Sequence, residues 1–176
     1  MNFKILAELK IVSFYLIIIV SCYMCESKLM YNCQNGFSKF GSNCYYLSKE
    51  TATWQEAFFE CKNLAKGSKL VVLAKEVEDH NIRKFLKYRK NETKERWIGG
   101  IYDWSQDQWK WATSGRKIRY NRFETIQNFN NDKNDQWQCL SLDPSIDYKW
   151  NAQSCLQKKN FICETKPQPE CVNITV

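Results

Sequence analysis

Read for the spacing of its apolar positions, the chain changes period as it proceeds, and each change marks an element. Phe37-Ser38-Lys39-Phe40 and Cys44-Tyr45-Tyr46-Leu47 set aromatics among polar residues on either side of Gly41-Ser42-Asn43, which reads as a hairpin. Cys33 and Cys44 lie where a local disulfide could close it. At Thr53-Trp54-Gln55-Glu56 the pattern turns helical: Thr53 is placed to accept from the first turn and Glu56 to reach back to the Thr53 amide, a capping box. Trp54, Ala57, Phe58, Cys61 and Leu64 follow at intervals of three and four, which puts Cys61 on the buried face, and Gly67 stands past the helix end. Leu70-Val71-Val72-Leu73 is a short buried strand or connector. A second helix is predicted from about Glu76 to Tyr88, with Val77, Ile82, Phe85 and Leu86 inside and Arg83, Lys84, Lys87, Arg89 and Lys90 outside.

From Trp97 onward the period is that of strands, in Trp97-Ile98-Gly99-Gly100-Ile101, Gln108-Trp109-Lys110-Trp111, Gln136 to Leu142, Tyr148-Lys149-Trp150 and Asn160 to Glu164. The pattern is therefore that of an α+β fold, two helices followed by a series of strands. Ala112 to Gln136 has little periodicity and is rich in Asn, Asp, Arg and Lys; a stretch of about 25 such residues inside a compact domain is a functional loop. Pro167 and Pro169 mark an extended tail that carries Cys171.

At the other end, Ile11 to Val20 is apolar apart from Ser13 and follows Lys4 and Lys10. Its length suits a signal-peptide core better than a membrane span of about 20 apolar residues; a signal anchor extending to Met24 is the alternative. The expected layout is a signal peptide over 1–27, with the cleavage site open between Ser21, Cys22 and Ser27, a domain over 28–165 and a tail over 166–176. Nine cysteines in 176 residues point to an oxidising compartment. Two glycosylation triplets, Asn91-Glu92-Thr93 and Asn173-Ile174-Thr175, agree with a secreted protein. No stable membrane insertion is expected.

Charge and residue inventory narrow the chemistry. A net charge of +7 favours anionic extracellular partners such as sulfated glycans, although the basic helix face reads first as a solvated surface paired with Glu76, Glu78, Glu92 and Glu95. His80 is the only histidine, so a His-based triad or zinc site has almost no material. With 6 glycines and no phosphate-cradling loop, the chain reads as a binding protein and not as an enzyme, with no nucleic-acid partner.

Taken together, the hairpin cysteines, the Cys61 helix, Trp97-Ile98-Gly99-Gly100, Trp109-Lys110-Trp111, Cys139, Cys155 and Phe161-Ile162-Cys163-Glu164 resemble the C-type lectin-like domain in its long form, over roughly Cys33 to Glu164, and the resemblance implies an α+β fold of two helices flanking a mixed, mostly antiparallel sheet with a long loop region, stapled by disulfides. Six cysteines allow fifteen connectivities; the resemblance implies Cys33 with Cys44, Cys61 with Cys163, and Cys139 with Cys155. Cys25 and Cys171 each lie eight residues outside that frame (33 − 25 and 171 − 163). If the first and last strands pair antiparallel, a fourth bridge between them is conceivable, and a disulfide-linked dimer is the alternative use of these thiols.

The resemblance also implies a calcium-bridged sugar site, whose acids come from the long loop and from an Asn-Asp after the strand Trp. Here Asn128, Phe129 and Asn130 fall where the loop motif has an acid, a proline and an amide, and Trp150-Asn151-Ala152 puts a methyl where the acid should chelate. A hard calcium ion wants six to eight oxygens, several of them charged, so the expectation is no cofactor. Asp132 and Asp135 are the acids a shifted register would bring to the ion, and Asp103 and Asp107 could serve an auxiliary site, though capping a turn is their simpler role. The candidate ligand surface comprises Asn128, Asn130 and Asn151, with Arg116, Lys117, Arg119 and Arg122 for anionic groups and Tyr120, Phe123, Phe129, Trp137 and Trp150 for stacking, although several of these aromatics read first as core residues, Trp150 above all, for which the resemblance implies a core role. The expected function is non-enzymatic binding of an extracellular glycan or protein; a calcium-dependent lectin with non-standard ligands and a protein-targeting secreted effector are the alternatives.

Overall fold

The structure, a computed structural model, describes residues 3–23, 27–89, 93–120, 122 and 137–173. Its elements in order are α1 (Phe3–Tyr23), β1 (Ser27–Asn32), β2 (Ser38–Phe40), β3 (Asn43–Leu47), α2 (Trp54–Leu64), β4 (Lys69–Leu70), α3 (Glu76–Tyr88), β5 (Arg96–Asp103), β6 (Gln108–Trp111), β7 (Arg116–Lys117), β8 (Gln138–Asp143), a 3-10 turn (Pro144–Ile146), β9 (Lys149–Ser154), β10 (Asn160–Thr165) and β11 (Gln168–Asn173). They fall into two compact units, Gln34–Lys166 and a smaller one made of Met1–Cys33 with Pro167–Val176.

In the smaller unit β1 and β11 form an antiparallel ribbon running from Ser27↔Asn173 to Asn32↔Gln168. The Asn32 side-chain amide donates to the Glu170 carboxylate at 2.9 Å. The conceivable fourth bridge joins Cys171 to Cys25, which lies outside the described residues. In the ribbon Cys171 stands opposite Leu29, and its thiol donates to the Ile18 carbonyl oxygen at 3.7 Å. No helix among the described residues is long and apolar enough to cross a membrane.

In the larger unit the sheet follows the path β2-β3-β10-β5-β6-β7, with β4 added to β10, and β8 joining β5 to β9. The β10–β5 pair is parallel, through Asn160↔Arg96 and Phe161↔Trp97, and the other pairs described are antiparallel. Ile82, Phe85 and Leu86 of α3 close one core with Tyr45, Val71, Leu73, Ile98, Trp111, Leu140, Leu142, Trp150 and Ile162. Removing that much aliphatic and aromatic surface from water is the main favourable term in the fold. Cys61–Cys163 fastens α2 to β10 with Cα atoms 5.3 Å apart, and Cys139–Cys155 fastens β8 to the segment after β9 at 5.0 Å. Cys33 and Cys44 are disulfide-bonded as well.

The capping box forms as the sequence predicts. The Thr53 amide donates to Glu56 Oε2 at 2.8 Å and the Glu56 amide to Thr53 Oγ1 at 3.3 Å. The helix interiors hold two corrections: Leu64 and Val77, both read as inward-facing, are exposed. α2 buries the narrow stripe Trp54, Ala57 and Cys61, and Leu64 is its last residue. In α3 the inward position of the first turn is taken by Asp79, which stands about 200° round the helix from Val77.

The apolar strand β5 carries an irregularity that the sequence marks with Gly99-Gly100. Trp97 pairs with Ser141 and Ile101 with Cys139, so the residues from Ile98 to Gly100 face Leu140 alone, a bulged geometry. A Cβ on Gly100 would lie 2.4 Å from Leu140 Cδ1. The space a side chain would need there belongs to Leu140.

The sheet also runs further than the pattern suggested. β7 pairs with β6 through Lys110↔Lys117 and Trp111↔Arg116, and the Ile118 amide donates to the Trp109 carbonyl at 2.8 Å. The aperiodic stretch therefore starts as an ordered edge, which its Arg and Lys content disguises. Between β8 and β9, Asp147 (φ 62°) and Tyr148 (φ 57°) are consecutive left-handed residues. Aspartate tolerates that region, whereas a bulky tyrosine is held there against a cost of about 1–3 kcal/mol by burial of its ring and by its amide, which donates to the Asp143 carbonyl at 2.8 Å.

Candidate ligand-binding face

The face begins with a carboxylate that does not reach the surface. Asp79, on the first turn of α3, is fully buried and accepts from Trp150 Nε1 at 2.8 Å, Arg83 Nε at 3.0 Å and the Tyr120 hydroxyl at 3.3 Å. A buried charge is tolerated when it is paired and hydrogen-bonded. This one joins α3 to β9 and to the segment after β7. The Trp150 ring is also edge-on to Trp111 and Tyr120 at 5.5 and 5.8 Å, and is 1% exposed. Trp150 is therefore a core residue and not a stacking platform. Tyr120, half-buried, has its ring and hydroxyl committed to the same cluster. Burial, followed by the Asp79 charge, raises its hydroxyl pKa. Sequence pattern missed Asp79 because its partners lie 41 and 71 residues away; the one local hint is Arg83 one turn later.

Around this anchor the chain alternates. Ile118 and Tyr120 turn inward while Arg119 is exposed, as is Arg122, whose carbonyl oxygen accepts from the Trp150 amide at 3.0 Å. Arg122 and Asn151 thus flank the same strand residue. Asn151 donates to Asp143 Oδ2 at 3.2 Å, and Ala152 pairs with Leu140 across the ladder and packs against the core. Arg116 and Lys117 are exposed on the edge strand β7. Asn128, Asn130, Asp132 and Asp135, with Phe123 and Phe129, lie outside the described residues, as does Asn91; Asn173 ends β11.

The acids of the β5–β6 turn are occupied locally. Asp103 receives Lys110 Nζ at 2.6 Å and the Ser105 amide at 2.9 Å, and the Lys110 bond holds its carboxyl down at about 2. Asp107 accepts from the Tyr102 hydroxyl, a bond that pushes Tyr102 up to about 12. Asp103 thus caps the turn through its backbone amides, while Asp107 is engaged by the Tyr102 side chain. Among the described residues no group of three or more His, Cys, Asp or Glu is placed to hold a metal ion.

Among the described candidate aromatics Trp137 is the exception. It is 61% exposed and lines an uncharged groove of about 560 Å³ with Trp54, Phe58, Phe59, Ile101 and Leu156. The position is set by the Cys155 amide, which donates to the Trp137 carbonyl at 2.8 Å, beside the Cys139–Cys155 bridge.

Comparison with known proteins agrees with this architecture. The family described as Lectin C-type domain matches residues 50–165. Human lithostathine-1-beta is 27% identical over 137 residues, covering 77% of this chain and 79% of that one. The B subunit of a coagulation factor IX/factor X-binding snaclec from Echis carinatus is 26% identical over 137 residues, covering 76% of this chain and 98% of that one. Among solved structures, the carbohydrate-recognition domain of mouse scavenger receptor C-type lectin superposes with a TM-score of 0.65 at 26% identity, covering 78% of this chain and all of that one (100%). With the family pattern spanning the helix, sheet and disulfide frame just described, the chain belongs to the C-type lectin family.

Proposed function

We propose that this protein is a secreted, non-enzymatic C-type-lectin-like recognition module that binds an extracellular glycan or protein without a calcium-bridged sugar contact. The observation that carries the reading is strand β9. Where the resemblance calls for a chelating acid the strand has Ala152, packed against the core, and the preceding Asn151 spends its amide nitrogen on Asp143. Amide oxygens alone do not offset the dehydration of a divalent ion that prefers several carboxylates. The ligand face is the outer side of β9 with the segment carrying Arg119 and Arg122, whose exposed guanidinium groups suit anionic or hydrogen-bonding partners. The names of the relatives span both ligand classes, a carbohydrate-recognition domain and a coagulation-factor binder.

The test is calorimetric titration of calcium into the purified protein, followed by a glycan array with and without chelator. The expected result is no tight calcium binding and no chelator-sensitive retention. Tight calcium binding with chelator-sensitive sugar retention would overturn the proposal in favour of a calcium-dependent lectin with a non-standard ligand set.

A further inference from the structure

The uncharged groove beside the Cys139–Cys155 bridge has no part in the β9 face. Its walls are tied together by the backbone: the Trp54 amide, at the start of α2, donates to the Cys155 carbonyl at 3.0 Å, and the Cys155 amide to the Trp137 carbonyl at 2.8 Å. Trp54 stacks on Phe58 with ring centroids 5.5 Å apart, and Phe59 stands edge-on to Phe58 at 5.5 Å. The Trp54 indole N–H is committed to the Ile98 carbonyl at 2.8 Å, so this wall offers ring carbon and no indole donor. Trp54 is recessed, while Phe59, Trp137 and Leu156 are exposed. A volume of about 560 Å³ falls within the range of small-ligand sites, about 300–1,000 Å³.

Cations stand next to this groove. Ile101, one of its lining residues, is paired across the ladder with Lys110, and Lys110 with Lys117; residues directly opposite in antiparallel strands share a face of the sheet. Two like charges so opposed are unfavourable, and Asp103 answers only one of them, through Lys110 at 2.6 Å. Lys117 is exposed, as is Arg119 two residues on, with the buried Ile118 between them turned to the other side. Neither forms an ion pair among the described residues. Lys117 stands two strand spacings, about 10 Å, from Ile101.

We infer that the groove and the adjoining β7 edge form one binding site for a free long-chain carboxylate, its alkyl tail among Trp54, Phe58, Ile101 and Trp137 and its head at Lys117 and Arg119. A saccharide in the groove would bury hydroxyls against ring and alkyl carbon without partners for them. A flat bilayer meets the rim at Trp137 and Leu156 but not the recessed Trp54. A flexible chain reaches the recess and leaves its anion beside the unanswered cations. The site goes beyond the β9 reading and stands whether or not calcium binds.

The probe is decanoate titrated calorimetrically into the full chain, with hexanoate, 1-decanol and phosphatidylserine vesicles as controls. The expected result is saturable binding of decanoate, with hexanoate weaker by about a hundredfold for the four methylenes no longer buried. Trp137→Ala and Leu156→Ser, both at exposed side chains, should each weaken decanoate about tenfold or more with the melting temperature unchanged. Lys117→Gln with Arg119→Gln should weaken decanoate about fivefold, the worth of two exposed ion pairs, and leave 1-decanol binding as it was, a difference that misfolding does not produce. The inference is overturned if decanoate does not bind, if hexanoate binds equally well, if the vesicles bind while free decanoate does not, if the rim variants keep wild-type affinity, or if the Lys117 and Arg119 variant lowers decanoate and 1-decanol alike. Calcium titration bears on the β9 reading alone.

Discussion

At the scale of single residues, Asp79 has the largest role for its size. A carboxylate fully removed from water would ordinarily be a liability, and three donors from α3, β9 and the segment after β7 make it a joint. Asp79→Ala strands the Trp150 indole N–H in the core and leaves the half-buried Arg83 with the exposed Asp147 as its remaining ion pair. We expect a loss of about 3 kcal/mol in chemical denaturation, the usual consequence of breaking one side of a buried polar cluster. Asp79→Asn keeps an acceptor and should lose less. If Asp79→Ala unfolds at the wild-type midpoint, the joint carries no stability. Asp79 is also the clearest limit on reading the chain from pattern. Beside the lone His80 it looks like a surface acid, and only the fold reveals that Trp150 reaches it. Trp150 itself was legible as a core residue, and Asn151-Ala152 as a departure from the sugar-binding motif, because those statements depend on residue chemistry and not on distant partners.

At the scale of elements, local rules were readable where one rule acted alone. The Thr53–Glu56 capping box set the start of α2, and the apolar strands β5, β6, β8 and β10 stood out. The same rules failed where two competed. Three-and-four spacing placed Val77 inward although Asp79 holds that position, and the charges on Arg116, Lys117 and Arg119 hid the alternation of Ile118 and Tyr120 against the core. The β5 bulge gives this scale its test. Gly100→Ala would drive a methyl against the buried Leu140, which is itself enclosed, and should destabilise the protein by about 1–3 kcal/mol through overpacking. Pairing it with Leu140→Ala, which vacates the space, should give a double variant less unstable than the sum of the two singles, the sign of direct coupling. Strict additivity would refute the contact.

For the whole molecule, the response to pH divides between two kinds of acid. Asp103 and Asp147 sit below their ordinary values through Lys110 and Lys87. The folded state therefore binds fewer protons than the unfolded one, and the stability they contribute, small for exposed pairs, is present above about pH 4 and lost as pH falls through their folded values. Glu164 runs the other way. Burial raises its pKa, opposed by Lys69 and by the Val72 amide that donates to it at 3.2 Å. Its folded form holds a proton more readily, so its contribution favours the fold at low pH and declines as pH rises from the ordinary carboxylate value, 4.5, through the raised one. Glu164→Gln should remove that decline: measured by denaturation across pH 4 to 8, its stability relative to wild type should increase with pH. A flat difference would show that Lys69 and the amide cancel the effect of burial.

The two-stranded ribbon and the long disulfide respond to force in opposite ways. Ser27 and Asn173 are cross-strand partners at one end of the ribbon, so tension applied between them loads one rung of hydrogen bonds at a time and the strands peel apart instead of shearing. Cys61–Cys163 encloses the chain across a separation of 102 residues. Tension entering at Cys61 and leaving at Cys163 passes through the covalent link and never reaches the residues between them, so α3, β9 and the left-handed turn before β9 are shielded from stretching for as long as that bond stays oxidised.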